Sequence, residues 1–203
     1  MSEALYLYPV WLRFWHWLNA LVFLVLIATG LSMHFAGPDW LLPFDQARLI
    51  HNVAGMTLTL FWVIFVIGNA LGVNGKHYRV HLRSLPRELW EQSRYYLIGI
   101  FRQDPHPFHV SAERKLNALQ TLSYIGVMYL LMPILILSGW AFFLSGLLPE
   151  TLLGLNSVWL VAMVHLTTAW LLGLFLVVHV YIITTGTTPT TNLKAMITGW
   201  HRG

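Results

Sequence analysis

Two histidines near the end of the chain, His165 and His179, lie fourteen residues apart in a stretch from Thr151 to Leu193 that contains no Asp, Glu, Lys or Arg. On an α-helix, fourteen residues rise about 21 Å and complete nearly four turns, so both imidazoles leave the same face at different heights. An imidazole in hydrocarbon is costly, and it indicates a functional site with a partner by default. We therefore expect one helix that presents two ligands, one above the other.

The elements that position these histidines are predicted to be membrane helices. Of the 203 residues, 57% are hydrophobic and only 10% are charged. Four uncharged runs exceed the roughly 20 residues that a helix needs to cross a bilayer, and no segment alternates as transmembrane strands do. The first run is too long for a signal peptide, so we expect a permanent helix there. The sequence predicts an all-α integral membrane protein, a four-transmembrane-helix bundle forming a single membrane domain over residues 1–203, with helices at about 12–35, 46–72, 116–147 and 156–186.

The distribution of Lys and Arg predicts the orientation of the bundle. Eight of the twelve lie in residues 73–116, Arg13 precedes the first helix, and Lys194 and Arg202 follow the last, which leaves only Arg48 for the other side. By the positive-inside rule, both termini are cytoplasmic in a multi-pass membrane protein. The basic balance of the chain thus reflects topology and partnership with membrane lipid, and we expect no nucleic-acid binding.

The connection between the second and third helices, residues 73–115, is predicted to be cytoplasmic. Within it, Leu85–Phe101 has amphipathic spacing with arginines between the apolar positions, which indicates an interfacial helix on the inner leaflet. In the third helix, Pro133 predicts a kink because proline cannot donate a backbone hydrogen bond.

Counting along the helices groups the histidines by depth. His16 lies near the inner surface and His51 near the outer one, whereas His165 falls in the outer half of the fourth helix and His179 towards its inner end. The predicted pairs are therefore His51 with His165 and His16 with His179. His34 competes with His51, but its place at the outer end of the first helix favours a headgroup position.

Four buried imidazoles at two depths suit zinc, a proton path or haem. Zinc sites usually include Cys or carboxylates and proton paths include carboxylates, but the chain has no cysteine and the predicted spans contain no Asp or Glu. The lack of cysteine also excludes disulfides, iron–sulfur clusters held by this chain and covalent c-type haem. The pattern predicts two haem b groups with both axial positions filled, which leaves no catalytic site and favours electron transfer.

Four polar side chains near the predicted membrane surfaces are further candidates for binding. Asn117 and Gln120 could donate to a quinone carbonyl, or they could cap the third helix. Arg13 and Arg48 suit pairing with haem propionates, or they could simply anchor the helices in the interface.

Four glycines lie in the predicted helices near these histidines: Gly30 after Thr29, Gly55 one turn beyond His51, Gly139 after Ser138, and Gly173 midway between His165 and His179. A glycine there could let a flat macrocycle approach the backbone, or it could serve ordinary close packing of helices.

Three parts of the sequence resemble a known family: Trp15-His16-Trp17, Arg48 with His51 and Gly55, and the histidines at the fourteen-residue interval. The chain is similar over nearly its whole length to the four-helix di-haem cytochrome b subunits of membrane-bound formate dehydrogenase, nickel–iron hydrogenase and thiosulfate reductase. The resemblance implies the same histidine pairs as the depths do.

The segment Arg114–Gln120 also resembles the start of the third helix in that family, and the resemblance implies that Asn117 lies beside the inner haem at a menaquinone site. Leu119 stands where formate dehydrogenase subunits have glycine, and Asp104–His109 is closer to the thiosulfate-reductase-like members.

The resemblance implies a subunit of the bacterial inner membrane that transfers electrons between a periplasmic partner and menaquinone or ubiquinone. The expected partner is an iron–sulfur, molybdopterin, nickel–iron or multihaem cytochrome c subunit, which would hold the site for the terminal substrate. The first alternative is a free-standing cytochrome b that oxidises quinol and passes electrons to a soluble acceptor. The second is a haem-free transporter or membrane anchor.

Overall fold

The computed structural model of the chain describes residues 4–35, 41–80 and 82–201. Four helices in these residues are long and apolar enough to cross a membrane, and they cover Val10–Phe35, Phe44–Leu71, Ala118–Phe143 and Ser157–Ile183. The sequence also predicts an outer turn between the first two spans that includes Pro38 and Asp39, and both of these residues lie outside the described ones. The described structure is mostly helical, which agrees with the predicted all-α membrane bundle.

The helices and strands follow one another in a simple order. The first two spans are α1 and α2, and the amphipathic segment forms α3. The third span consists of α4, a π-helical segment and α5, while α6 is the fourth span and α7 is a short C-terminal helix. The helices are α1 (Val10–Phe35), α2 (Phe44–Leu71), α3 (Leu85–Leu97), α4 (Ala118–Gly126), α5 (Met132–Phe143), α6 (Ser157–Ile183) and α7 (Thr191–Thr198), and the strands are β1 (Leu5–Tyr6), β2 (Thr151–Leu152), β3 (Leu155–Asn156) and β4 (Trp200–His201).

The third span is irregular near its middle. A π-helical segment, Val127–Leu131, directly precedes α5, and Pro133 occupies the first turn of α5. Proline has no N–H for the carbonyl four residues earlier, and a π-turn is one way for a helix to accommodate such a position. The sequence located the irregularity at Pro133, and the structure shows the form that it takes.

The beginnings of two spans are set by side-chain caps. Asn117 precedes α4, where its side chain and that of Gln120 form a reciprocal capping box. Asn156 precedes α6 and accepts a hydrogen bond of 3.0 Å from the backbone N–H of Trp159. Both caps satisfy N–H groups that a helix leaves unpaired in its first turn.

The short strands form two antiparallel pairs, which the sequence did not predict. β1 pairs with β4, and β2 pairs with β3. The turn between β2 and β3 consists of Leu153 and Gly154, both with positive φ, which is the pattern of a tight hairpin turn. Gly199, before β4, has φ +89°, and a Cβ there would lie 2.6 Å from the ring of Tyr6, so only glycine fits.

The chain divides into two compact units. The terminal unit comprises the described residues of Met1–Arg13, Ile67–Tyr129 and Val177–Gly203, and the central unit comprises those of Phe14–Val66 and Leu130–Leu176. The central unit therefore contains His16, His51 and His165, and the terminal unit contains His179.

In the central unit, indole N–H groups join the spans. The indole of Trp15 donates to the carbonyl of Phe61 at 2.7 Å, and that of Trp140 donates to the hydroxyl of Thr59 at 3.2 Å. Phe65 is almost fully buried and packs 4.5 Å from the ring of Trp15. Hydrogen bonds between helices are a main source of association where lipid removes the hydrophobic driving force.

In the terminal unit, α3 is tied to the segment that leads into α4. Arg114 forms an ion pair with Glu88, and its guanidinium lies 5.4 Å from the ring centre of Phe108. Trp90 and Leu97 on α3 are largely exposed, as are the arginines between the apolar positions. This combination of exposed aromatic, aliphatic and basic side chains is typical of a helix that lies in a membrane interface.

Candidate haem site and its surroundings

His51 on α2 and His165 on α6 face each other within the central unit. Their ring centroids are 6.3 Å apart, and the ring planes make an angle of 70°. Two imidazole nitrogens that bind one metal ion from opposite sides, with bonds of about 2.0–2.1 Å, hold the ring centres about 6 Å apart. The separation of the two rings therefore fits a shared iron between them.

Each of these rings is held by a hydroxyl group from a neighbouring helix. The Nδ1 atom of His51 lies 2.9 Å from the hydroxyl of Thr29 on α1, and the Nδ1 atom of His165 lies 2.9 Å from the hydroxyl of Ser138 on α5. A hydrogen bond at one ring nitrogen decides which nitrogen of a histidine is left as a metal ligand. Both histidines are thus engaged through Nδ1 and leave Nε2 for coordination.

Glycines next to the two hydroxyl residues bring the rings close to helix backbone. A Cβ at Gly30 would lie 3.5 Å from Cε1 of His51, and a Cβ at Gly139 would lie 3.3 Å from Cε1 of His165. The sequence suggested that these glycines admit either a macrocycle or close helix packing. In the structure, the group beside each glycine is an imidazole.

The residues around this pair fit a haem as the shared group. Within the described parts of the chain, no group of three or more His, Asp or Glu side chains could hold a metal ion. Two opposed imidazoles fill the axial positions of an iron whose other four ligands come from a porphyrin. The ring of Phe142 stands edge-on to His165 at 5.9 Å and adds to the apolar surroundings that a haem requires.

His16 and His179 belong to different units, and their predicted pairing remains a prediction. His16 on α1 lies with its ring 5.1 Å from that of Trp17. His179 on α6 has its Nδ1 atom 3.5 Å from the hydroxyl of Tyr124, at the limit of hydrogen bonding, and the two rings are 6.1 Å apart. A phenol therefore occupies at His179 the position that aliphatic hydroxyls occupy at the other pair.

His34, the alternative to His51, is exposed at the end of α1. Its ring stands edge-on to that of Phe35 at 4.8 Å.

Asn117 and Gln120, the predicted quinone contacts, are both engaged in capping α4. The Asn117 side chain accepts a hydrogen bond of 2.8 Å from the N–H of Gln120, whose side chain accepts one of 3.1 Å from the N–H of Asn117. The amide of Asn117 also donates to the hydroxyl of Tyr96 at 3.2 Å. The capping alternative therefore describes their contacts in the structure, and a role towards quinone remains a prediction.

The two arginines predicted to pair with propionates make other contacts in the structure. Arg13 donates from Nη1 to the carbonyl of Ile197 at 2.6 Å, near the end of α7. Arg48 is exposed and lies 3.8 Å from Asp45 on the preceding turn of α2. Pairing of Arg13 or Arg48 with a propionate stays a prediction.

The terminal unit contains a series of buried side-chain hydrogen bonds that the sequence did not predict. Lys115 donates to the side chain of Asn74, Asn74 donates to Asn69 at 2.6 Å, and Asn69 donates to the hydroxyl of Tyr129 at 2.9 Å. The ammonium of Lys115 lies 5.2 Å from the ring centre of Tyr8. Asn74 and Lys115 are 41 residues apart, so no local spacing announces this contact.

Burial shifts the pKa values of the ionisable groups around Lys115 and Asn74. Desolvation, and secondly the charge of Lys76, lowers the pKa of Lys115 to about 8. Desolvation, followed by the charge of Lys115, lowers the pKa of His77 to about 4. Burial raises the pKa of Tyr8 and Tyr78 above the ordinary value of a phenol.

Two comparisons with known proteins match nearly the whole chain. A sequence model described as prokaryotic cytochrome b561 matches residues 7–199. A protein of Escherichia coli (strain K12) with the name "Putative cytochrome YdhU" is 38% identical over 201 residues, which are 99% of this chain and 76% of the relative. The matched region contains all four histidines that are predicted to bind haem.

Proposed function

The chain belongs to the prokaryotic cytochrome b561 family, whose members are membrane haem-b electron-transfer proteins, and we propose that it is the di-haem membrane subunit of a respiratory complex. In this proposal it passes electrons between a periplasmic redox subunit and a quinone. The proposed location is the bacterial inner membrane, with both termini and the segment between α2 and α3 on the cytoplasmic side.

The observation that carries the proposal is the opposed pair of His51 and His165. Their centroid separation of 6.3 Å fits two axial ligands of one iron, and both rings are fixed through Nδ1. We assign the second haem to His16 and His179 because helical counting places both histidines at the inner side. Together the two sites would place one haem near each membrane surface.

When bound, haem b supplies reversible one-electron chemistry. The four histidines would be the protein's ligands to the two haem irons, which would leave no open coordination site for a substrate molecule. Thr29 and Ser138 keep the rings in place, and the surrounding span residues exclude water. The protein would thus conduct electrons across the membrane, whereas the terminal reaction would take place on the partner subunit, which we propose to contain an iron–sulfur, molybdopterin, nickel–iron or multihaem c centre.

The haem content of purified variants tests the ligand assignment. The unaltered protein, extracted in mild detergent, should contain two haems per chain and show a dithionite-reduced α-band. His165→Ala should remove one haem because it deletes an axial ligand, and His179→Ala should remove the other. His34→Ala is the matched control and should leave two. An unchanged content in His165→Ala would contradict the assignment, and a protein without an α-band would instead favour a haem-free anchor or transporter.

Copurification and quinol oxidation test the remaining parts of the proposal. A redox subunit should remain with the chain after mild extraction, and a menaquinol or ubiquinol analogue should reduce the haems in vesicles. If the chain is extracted without a partner subunit and its quinol-reduced haems are reoxidised by a soluble acceptor, the free-standing cytochrome replaces the complex. Absence of haem reduction by either quinol would contradict the quinone assignment.

A further inference from the structure

We propose that Thr29 and Ser138 are positioning residues that fix the tautomer and the ring orientation of His51 and His165, and that they thereby set the reduction potential of the haem between them. The inference rests on the proposed function, because it requires that these histidines are the axial ligands. It assigns a role to two residues that neither charge pattern nor family resemblance marks.

The hydroxyl of Thr29 acts as the acceptor in its contact with His51, because its proton is already used elsewhere. Thr29 lies 2.7 Å from the carbonyl of Val25 on its own helix, and a carbonyl can only accept a hydrogen bond. A hydroxyl has one proton, so once Thr29 donates to Val25, its oxygen must accept at the contact with His51. The Nδ1 atom of His51 therefore has a proton, and Nε2 presents its lone pair.

The same arrangement occurs on the opposite side of the site. Ser138 donates to the carbonyl of Ile134 at 2.8 Å and accepts from Nδ1 of His165 at 2.9 Å. Thr29 and Ser138 are 2% and 7% exposed, so water does not compete well for these bonds. Two helices that are distant in sequence thus supply equivalent acceptors to the two rings.

Each hydroxyl residue is followed by a glycine that faces the same ring. A Cβ at Gly30 or Gly139 would lie within 3.5 Å of the imidazole beside it. The hydroxyl residue and the glycine therefore act together at each ring. The glycine lets the imidazole approach the helix, and the hydroxyl accepts the hydrogen bond from the imidazole N–H. The same two-residue pattern recurs in α1 and α5 because each of the two histidines needs both a close approach and a hydrogen-bond acceptor.

The effect on the reduction potential has a definite sign. A hydrogen bond from Nδ1–H to an acceptor increases the electron density of the ring and makes Nε2 a more basic ligand. A more basic axial ligand favours ferric iron over ferrous iron. Loss of the acceptor should therefore raise the potential, and we expect a change of about tenfold in the reduction equilibrium, which corresponds to about 59 mV for a one-electron couple.

The test uses redox titration of the full-length, haem-loaded protein, with the ferric electron paramagnetic resonance spectrum as a second measurement. Thr29→Val and Ser138→Ala should raise the potential of one haem, leave the other unchanged, and alter the low-spin ferric signal, which depends on the angle between the axial ring planes. Thr29→Ser and Ser138→Thr keep a hydroxyl and should restore both properties.

Two buried hydroxyls in the central unit provide matched controls. Ser32 donates to the carbonyl of Ala28 at 2.8 Å, and Thr168 donates to the carbonyl of Val164 at 2.7 Å, both within their own helices. Ser32→Ala and Thr168→Val should leave the potentials and the ferric signals as they are. They separate the loss of a histidine acceptor from the loss of any buried hydroxyl.

The outcomes separate this inference from the function on which it rests. If Thr29→Val and Ser138→Ala retain the parent potentials and ferric signals, the hydroxyls do not act through the histidines and the inference is overturned, although the haem assignment stands. Loss of one haem in Thr29→Val but not in Thr29→Ser would support it. If the unaltered protein contains no haem, both the inference and the proposed function fail.

Discussion

Lys115 should make the stability of the protein depend on pH in the alkaline range. Its side chain is 5% exposed, donates to Asn74 and lies over the ring of Tyr8. Burial lowers its pKa from 10.5 to about 8. The folded protein therefore disfavours the ammonium form that the unfolded chain prefers. Lys115→Met, which keeps much of the apolar length and removes the charge, is the perturbation to make.

The sign and the size of the effect follow from proton linkage. Between pH 8 and pH 10.5 the unfolded chain binds more protons at Lys115 than the folded protein, so the free energy of unfolding rises with pH. Each pKa unit corresponds to about 1.4 kcal/mol, so the rise from pH 8 to pH 10 should be roughly 2–3 kcal/mol. Above pH 10 the raised pKa values of Tyr8 and Tyr96 act in the opposite direction, because the folded protein then retains protons that the unfolded chain loses. His77, whose pKa is about 4, stays neutral throughout.

Unfolding by sodium dodecyl sulfate at a series of pH values, followed by tryptophan fluorescence, measures this slope. The unaltered protein should gain stability from pH 8 to pH 10, and Lys115→Met should show a flat profile over the same range. Lys194→Met, at an exposed lysine of α7, is the control and should retain the slope. Equal slopes in the unaltered protein and in Lys115→Met would refute the prediction that burial of the charged ammonium of Lys115 lowers the stability of the folded protein.

Two further predictions concern close packing and helix capping. Gly139→Ala should lower the melting temperature and the haem content more than Gly30→Ala. The added Cβ would lie 3.3 Å from the ring of His165 in the first variant and 3.5 Å from the ring of His51 in the second. Equal effects of the two variants in thermal unfolding would contradict this prediction. Gln120→Ala should destabilise the protein by about 1 kcal/mol through loss of the bond to the N–H of Asn117, as measured by the same denaturant titration, whereas Gln120→Glu should retain the capping box.

The membrane-spanning architecture is determined by sequence alone. Insertion depends on the summed hydrophobicity of about twenty consecutive residues, which is a local property, and the runs without charge are visible in the sequence. The fourteen-residue interval of His165 and His179 needs only the pitch of a helix to be interpreted. The capping box of Asn117 and Gln120 is also a local pattern, because its residues lie three apart.

The site around the histidines is decided by tertiary structure. The partners of His51 and His165 lie 22 and 27 residues away on other helices, and their contact depends on how each helix is rotated about its axis. Hydropathy cannot set that rotation, because spans surrounded by lipid are apolar on every side and have little amphipathic pattern. Thr29 and Ser138 were therefore visible in the sequence only as small residues beside glycines.

Burial of Lys115 likewise follows only from the folded chain. In the sequence it is one of several basic residues before the third span, and it becomes distinct because Asn74 and Tyr8 enclose it from distant parts of the chain. The sequence determined which segments enter the membrane and which of their residues can bind a metal, since both depend on local chemistry. Which hydroxyl meets which imidazole, and which lysine loses its water, was decided by packing between helices and loops, because those contacts exist only after distant segments have met.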